Sequence, residues 1–322
     1  MNLFTTLSER IFDWAWTTSV HATPLIVLVF LAQTLLGRRL TPALRYALGC
    51  LALIGLLLPA MPASPLSVGN LFPASATIEK HLLGSIPLSA DALPGLVRGT
   101  AGFPAKDPVA TPRRLSTREA ASLVWLSGGL CLLSTAVWRH RRWQVSLKGA
   151  RSITEPGLLG LLERTKISMR VQRPVALAAM DHLGSPAVSG FRGPCLVLPE
   201  SVLRQLSPSE LRLVFMHELA HVRRHDLLQN LLLMGVQFVH WFNPLVWVAL
   251  RRLRADRELV CDAMVLQKLE PVERLGYGRV LIKLLESLSV EHRPVSSAIP
   301  VVSSPSEIKR RMIMIANYRK SG

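Results

Sequence analysis

The chain has 322 residues, of which 49% are hydrophobic, and its mean hydropathy is +0.31. These values are high for a soluble protein and predict membrane-spanning segments, with room for about two domains. The net charge of +17 predicts a membrane surface or a nucleic acid as partner. The four cysteines include no C-x-x-C pair, which excludes a zinc-finger spacing and gives no disulfide framework.

The first half of the chain predicts three transmembrane helices, at residues 14–37, 46–62 and 120–138. No Asp, Glu, Lys or Arg occurs from residue 14 to residue 37, and an apolar run of this length crosses the roughly 30 Å hydrocarbon layer. This run is also too long for the apolar region of a cleaved signal peptide. Residues 1–145 are therefore predicted to form a membrane domain.

Basic residues next to these segments predict their orientation in the membrane. They lie between the first two spans (Arg38, Arg39, Arg45) and after the third (Arg139, Arg141, Arg142, Lys148, Arg151). Both groups should be cytoplasmic, which leaves the N-terminus and the loop 63–118 outside. The Trp138–Trp143 stretch follows a span directly, so it indicates an anchor at the anionic inner leaflet, and no direct nucleic-acid binding is expected.

The second half predicts a cytoplasmic α+β domain at residues 146–290, followed by a basic tail at residues 291–322. A basic helix is predicted over residues 150–170. Short apolar runs then predict two or three strands, with turns at Gly184 and Gly193. An unpaired edge of this small sheet could hold a substrate in extended form.

An H-E-x-x-H motif extends from His217 to His221. Ser207 and Glu210 have the spacing of a capping box, which predicts a helix beginning about ten residues before the motif. Residues four apart lie on one helical face, so both histidines can bind one Zn²⁺. Glu218 would then lie where it can act as general base toward a metal-bound water.

A third metal ligand should come from downstream of an uncharged run at residues 227–250. Asn243-Pro244 predicts a break in that run, and two helical arms on either side of it would return Glu258 to the motif. A single membrane crossing by this run would put Glu258 on the far side of the membrane from the motif. A helical hairpin, either re-entrant or buried, is therefore favoured. Asp262 lies one turn from Glu258 and could orient a ligating histidine.

Three other residues are weaker candidates for the site. His225 lies about 12 Å along the axis from His217 if the helix is unbroken, too far for one metal ion. Cys261 lies off the face of Glu258 and is expected in the core. His240 could stabilise an oxyanion or cap the helix break, and both interpretations stay open.

The combined motifs resemble the BlaR/MecR-type membrane metallopeptidases. They are Pro186–Gly190, Pro194–Pro199, Leu206-Ser207, His217–Asp226, Trp241–Pro244 with Trp247, and Arg257–Asp262. Over residues 20–320 the resemblance implies a zinc protease of the gluzincin type, with His217, His221 and Glu258 as ligands and Glu218 as general base. Asp262 would orient a ligating histidine. This chain ends before the fourth span and the external sensor domain that family receptors usually have.

The resemblance also implies a regulatory function, in which the protein cleaves itself, a DNA-binding repressor, or both. Whether the protein forms a homodimer is left open by the sequence. Two alternatives differ from this interpretation: a membrane quality-control protease similar to HtpX, and a signalling scaffold that has the fold without catalysis. The four intact motif residues His217, Glu218, His221 and Glu258 argue against the scaffold.

Overall fold

The structure is a computed structural model that describes residues 3–36, 40–57, 115–181, 183–290 and 305–318. Within these residues the chain is mainly helical, with one small sheet. The helices are α1 Leu3–Leu35, α2 Pro42–Ile54, α3 Thr117–Lys148, α4 Pro156–Met169, α5 Glu200–Gln205, α6 Pro208–Arg223, α7 Asp226–Val239, α8 Pro244–Leu266, α9 Pro271–Val290 and α10 Pro305–Ala316. The strands are β1 Arg151–Ser152, β2 Ala176–Met180, β3 Ala187–Ser189 and β4 Cys195–Pro199.

Two of the described helices, α1 and α3, are long and apolar enough to cross a membrane. Helix α1 covers residues 14–35 of the first predicted span, and α3 contains the third. Helix α3 is only 6% buried over its most apolar 18 residues, and its exposed leucines, valines and tryptophan would be costly in water. Helix α2 covers the start of the second predicted span, residues 46–54. Residues 58–62 of that span, and most of the loop 63–118, lie outside the described residues.

Helices α7 and α8 form the predicted helical hairpin. The break falls at residues 240–243, and Asn243 caps α8 by accepting a hydrogen bond from the Leu245 amide at 2.9 Å. Buried apolar residues join the hairpin to α1 and α2: Ala22, Ile26, Val29, Ala52, Leu53, Leu56, Val236, Val246, Ala249, Leu250 and Leu253. The hairpin therefore packs against α1 and α2.

The tip of the hairpin also binds helix α3. The Trp241 indole donates to the Trp125 carbonyl at 3.0 Å, and the Trp125 indole donates to the Val239 carbonyl at 2.9 Å. A Cβ atom at Gly128 would lie 2.2 Å from the Trp241 ring. Glycine is thus required at position 128 for this close approach.

The sheet has four strands in the order β1-β2-β4-β3. Strands β2 and β4 are parallel, while β1 and β3 pair antiparallel with them at the two edges. The sequence predicted two or three strands. Strand β1 was missed because it falls at the start of the predicted helix 150–170, which instead begins at Pro156.

Helix α6 has the predicted capping box. The Ser207 hydroxyl accepts from the Glu210 amide, and the Glu210 carboxylate accepts from the Ser207 amide at 2.9 Å. Buried side chains that include Phe215, Met216 and Leu219 fix one face of the helix in the core. The motif is therefore held on a helix with a defined start and a fixed rotation.

Residues 305–318 belong to the same core as the motif helix, although the sequence assigns them to a tail. Helix α10 packs on α8 and α9, and Ile315 is 5% exposed within the cluster that contains Phe215. Ile315 lies on the buried face of this short amphipathic helix. The packing of this face explains why residues 305–318 belong to the core rather than to a tail.

Candidate metal centre

Helix α6 brings the two motif histidines together, with ring centroids 5.0 Å apart. Helix α8 returns Glu258 to them, as the hairpin geometry predicts. Its Oε2 atom lies 3.4 Å from Nε2 of His217 and 3.8 Å from Nε2 of His221. Their ligand atoms all lie within 4.8 Å of one another.

These three residues fit a zinc ion by geometry and chemistry. Tetrahedral zinc has bonds of about 2.0–2.2 Å to nitrogen and oxygen, so its ligand atoms lie roughly 3.3–3.6 Å apart. The contacts from Glu258 Oε2, at 3.4 and 3.8 Å, are close to this spacing. Two imidazoles and one carboxylate leave a fourth position for water, as in catalytic zinc sites.

His217 is held from behind by Tyr277 and Asp262. Its Nδ1 atom lies 2.9 Å from the Tyr277 hydroxyl and 3.2 Å from Asp262 Oδ1. The Tyr277 hydroxyl donates to Asp262 at 2.6 Å. An Nδ1–H on His217 can therefore donate to this pair, so that Nε2 is the ring nitrogen that faces Glu258.

Charge pairing dominates the protonation of this group. Burial lowers the pKa of His217, but hydrogen bonds to Asp262 and Glu258 outweigh it and raise the pKa to about 10. Burial raises the pKa of Asp262, but the charge of Arg311 brings it down to about 2. Burial opposes ionisation of Glu258 too, yet the charge of His221 and the His217 hydrogen bond hold its pKa well below the usual range. Both acids are thus carboxylates at neutral pH.

His221 has a different set of partners behind it. Its Nδ1 atom lies 2.6 Å from Asp226 Oδ2, and the Arg224 guanidinium donates to the other oxygen of Asp226 at 3.2 Å. The Cys261 sulfur lies 3.4 Å from the same Nδ1. Each histidine thus has a buried aspartate behind it, and both Nε2 atoms point toward Glu258.

Glu218 follows His217 on α6 and is also buried, with 8% of its surface exposed. Its side chain makes no hydrogen bond or ion pair with any of the described residues. Its carboxylate is therefore not engaged by another described side chain. A general base has to be free in this way to accept a proton.

The remaining candidates lie elsewhere. Helix α6 ends at Arg223, so the unbroken helix assumed for the His225 distance is wrong: His225 adopts φ 57° and begins α7. It is in neither of the candidate metal groups among the described residues. His240 is fully buried at the hairpin tip, 3.0 Å from the Ser19 hydroxyl and 3.2 Å from the Leu56 carbonyl. Its backbone occupies the C-cap position of α7, where its N–H donates to the Val236 carbonyl.

Residues 14–315 match the family described as BlaR1 peptidase M56. The chain belongs to this family. It is 27% identical over 301 residues to "Regulatory protein BlaR1" of Bacillus licheniformis, covering 91% of this chain and 49% of that protein. It is 24% identical over 298 residues to "Methicillin resistance mecR1 protein" of Staphylococcus aureus, with the same coverage. The resemblance to BlaR/MecR-type metallopeptidases is confirmed, and the chain spans about half the length of these relatives.

Sequence reasoning missed three residues of this M56 site. Asp226 follows the motif closely, and its spacing of five from His221 could have suggested a partner. Tyr277 lies between two glycines on α9, and Arg311 lies 49 residues beyond Asp262. No local pattern connects either residue to the motif, because their contacts depend on how α9 and α10 pack. Cys261 is buried as expected, but it also contacts His221.

Proposed function

We propose that this M56 chain is an integral membrane zinc endopeptidase that acts in regulated proteolysis. The observation that carries the proposal is the convergence of His217, His221 and Glu258 beside a buried, unpaired Glu218. A structural zinc site would use four protein ligands. Three ligands next to an available carboxylate support a catalytic site instead.

Each protein group has a definite task in peptide hydrolysis. A zinc ion held by His217, His221 and Glu258 would lower the pKa of its bound water and polarise the scissile carbonyl. Glu218 takes a proton from that water and returns it to the leaving amine. Asp262, with Tyr277, and Asp226 keep the Nδ1 proton on each histidine, so that both Nε2 atoms remain available to the metal.

Strand β3 is suited to binding the substrate. It is an edge strand of the sheet, so one side of its backbone has no strand partner among the described residues. It also contacts the motif helix α6. An extended peptide paired with this edge would cross the site with its carbonyls in a fixed register.

The protein crosses the membrane, in this proposal, with its N-terminus outside and the metal site on the cytoplasmic side. The apolar exposed surface of α3 and the basic residues at its C-terminal end support this orientation. The α7–α8 hairpin enters the membrane from the cytoplasmic side. Trp16 stacks on Phe242 at its tip, 5.8 Å between centroids, which supports a tip near the external tryptophan belt.

Membrane-impermeant thiol labelling checks this orientation. A cysteine placed at Thr6 should react in intact cells, whereas one at Lys148 should react only after the membrane is opened. The labelling is done in a background without the four native cysteines. Labelling at Lys148 in intact cells would reverse the proposed topology.

Two names among the relatives bear on the biological function. "Regulatory protein BlaR1" describes a regulator, and "Methicillin resistance mecR1 protein" connects that relative with antibiotic resistance. We therefore propose that the substrate is this protein itself, a transcriptional repressor, or both.

Metal-dependent cleavage by the purified full chain is the direct test. In detergent micelles we expect one zinc per chain and cleavage of casein or of the chain itself. Chelation with 1,10-phenanthroline should stop the cleavage, and added zinc should restore it. Stoichiometric zinc without any cleavage would favour a non-catalytic scaffold, and no zinc would contradict the site itself.

A further inference from the structure

One arginine of helix α10 contacts an aspartate next to the candidate metal site. Arg311 donates from Nε to Asp262 Oδ2 and from Nη2 to Asp262 Oδ1, both at 2.7 Å. The Arg311 side chain is 14% exposed and that of Asp262 is 0% exposed. A bidentate arginine–carboxylate pair of this kind fixes the plane of the carboxylate as well as its charge.

Asp262 transmits this orientation to His217. Its Oδ1 atom, which Arg311 Nη2 binds, also accepts from the Tyr277 hydroxyl at 2.6 Å. The Tyr277 oxygen lies 2.9 Å from His217 Nδ1. Arg311, Asp262, Tyr277 and His217 thus form one continuous chain of buried hydrogen bonds that ends at a candidate zinc ligand.

We propose that Arg311 is a positioning residue of the metal site, which sets the orientation and tautomer of His217 through Asp262. The inference rests on the proposed zinc site. The inference assigns to that site a residue from a separate helix. Arg311 contacts Asp262 and not the expected substrate or nucleophile. Arg311 acts through another side chain, so its removal should weaken metal binding before it affects any chemical step.

Further contacts hold helix α10 in a fixed position on α8. The neighbouring Arg310 binds Asp256 of α8 at 2.7 Å, and Asp256 is 2% exposed. Arg45 of α2 lies 3.6 Å from the same carboxylate. Ile315 is buried one turn further along. Two adjacent arginines therefore attach α10 to two aspartates of the helix that also carries Glu258.

The direction in which zinc affinity changes when Arg311 is removed distinguishes two physical effects. Arg311 is a cation near the metal, and its Nη1 lies 3.9 Å from Glu258 Oε2. If repulsion of Zn²⁺ dominated, its removal would strengthen zinc binding. Asp262 has no exposure to water, however, so a carboxylate left unpaired there is strongly disfavoured. It would rotate toward other donors, and His217 would lose its acceptor.

The test compares zinc affinity of the full chain in detergent, measured by competition with a chromophoric chelator. Arg311→Gln should bind zinc about 10–100-fold more weakly, the usual effect of losing a partner behind a metal ligand. Arg311→Lys should recover part of the loss, since lysine retains the charge but not the bidentate geometry. Lys309→Gln removes the same charge from an exposed position of α10 and should leave affinity unchanged.

A double-mutant cycle excludes a general loss of folding. If Arg311 acts through Asp262, Arg311→Gln combined with Asp262→Asn should bind zinc no more weakly than Asp262→Asn alone. Additive losses would show that Arg311 only supports the fold and would overturn the proposal. Unchanged or tighter zinc binding in Arg311→Gln would overturn it as well. Absence of zinc from the wild-type chain would instead overturn the proposed function.

Discussion

Replacing Glu218 by glutamine is expected to abolish peptide cleavage while the protein retains its zinc. Glutamine has nearly the same shape but cannot accept a proton from the attacking water. General acid–base groups contribute about 10²–10⁴-fold to rate, and the described residues include no second unpaired carboxylate at the ligand set. Zinc should remain because Glu218 is not one of the three converging ligands. Cleavage rate and bound zinc are measured on the same purified sample.

Glu270→Gln provides the matched control, because Glu270 is an exposed glutamate in the same half of the chain. It should cleave at the wild-type rate. A zinc-loaded Glu218→Gln protein with undiminished cleavage would contradict the general-base assignment. Joint loss of zinc and cleavage would assign Glu218 to metal binding instead.

Replacing Glu258 by alanine is expected to remove zinc from the protein. The change deletes the oxygen that lies within 3.8 Å of both Nε2 atoms. Arg311 Nη1 and Arg257 Nε lie 3.9 and 3.7 Å from the Glu258 carboxylate. The change also removes this shared partner and leaves both cations beside the site. Loss of groups behind a ligand already costs about 10–100-fold in affinity, so loss of the ligand should exceed about 100-fold.

His225→Asn is the informative comparison, because His225 is the competing third ligand. Asparagine tolerates the left-handed backbone that His225 adopts at φ 57°, so the turn between α6 and α7 should persist. This variant should retain zinc. Chelator competition gives the affinity and metal analysis after gel filtration gives the stoichiometry. Loss of zinc in His225→Asn with retention in Glu258→Ala would reverse the ligand assignment.

Local signals in the sequence made part of this site predictable. The capping box at Ser207 and Glu210 defined where the motif helix begins. Asn243-Pro244 defined where the hairpin turns. Given both, counting residues along two helical arms was enough to predict that Glu258 returns to the histidines. Each step needed only neighbours in the chain.

The remaining parts depend on packing that no local pattern encodes. Arg311 reaches Asp262 only because α10 docks on α8, and the sequence alone suggested a basic tail. The two-residue strand β1 exists only because β2 offers it an edge to pair with. His225 shows a different difficulty: a turn usually assigned to glycine is made here by a histidine at φ 57°.

The hairpin between the histidines and Glu258 has a consequence for the biosynthesis of this protein. A nascent chain that has left the ribosome as far as residue 250 contains both motif histidines but lacks the third ligand. The hairpin that returns Glu258 packs on α1 and α2, so in the proposed topology we expect the three ligands to come together after α7 and α8 have packed on these helices. Zinc capture would then follow membrane insertion of α1 and α2.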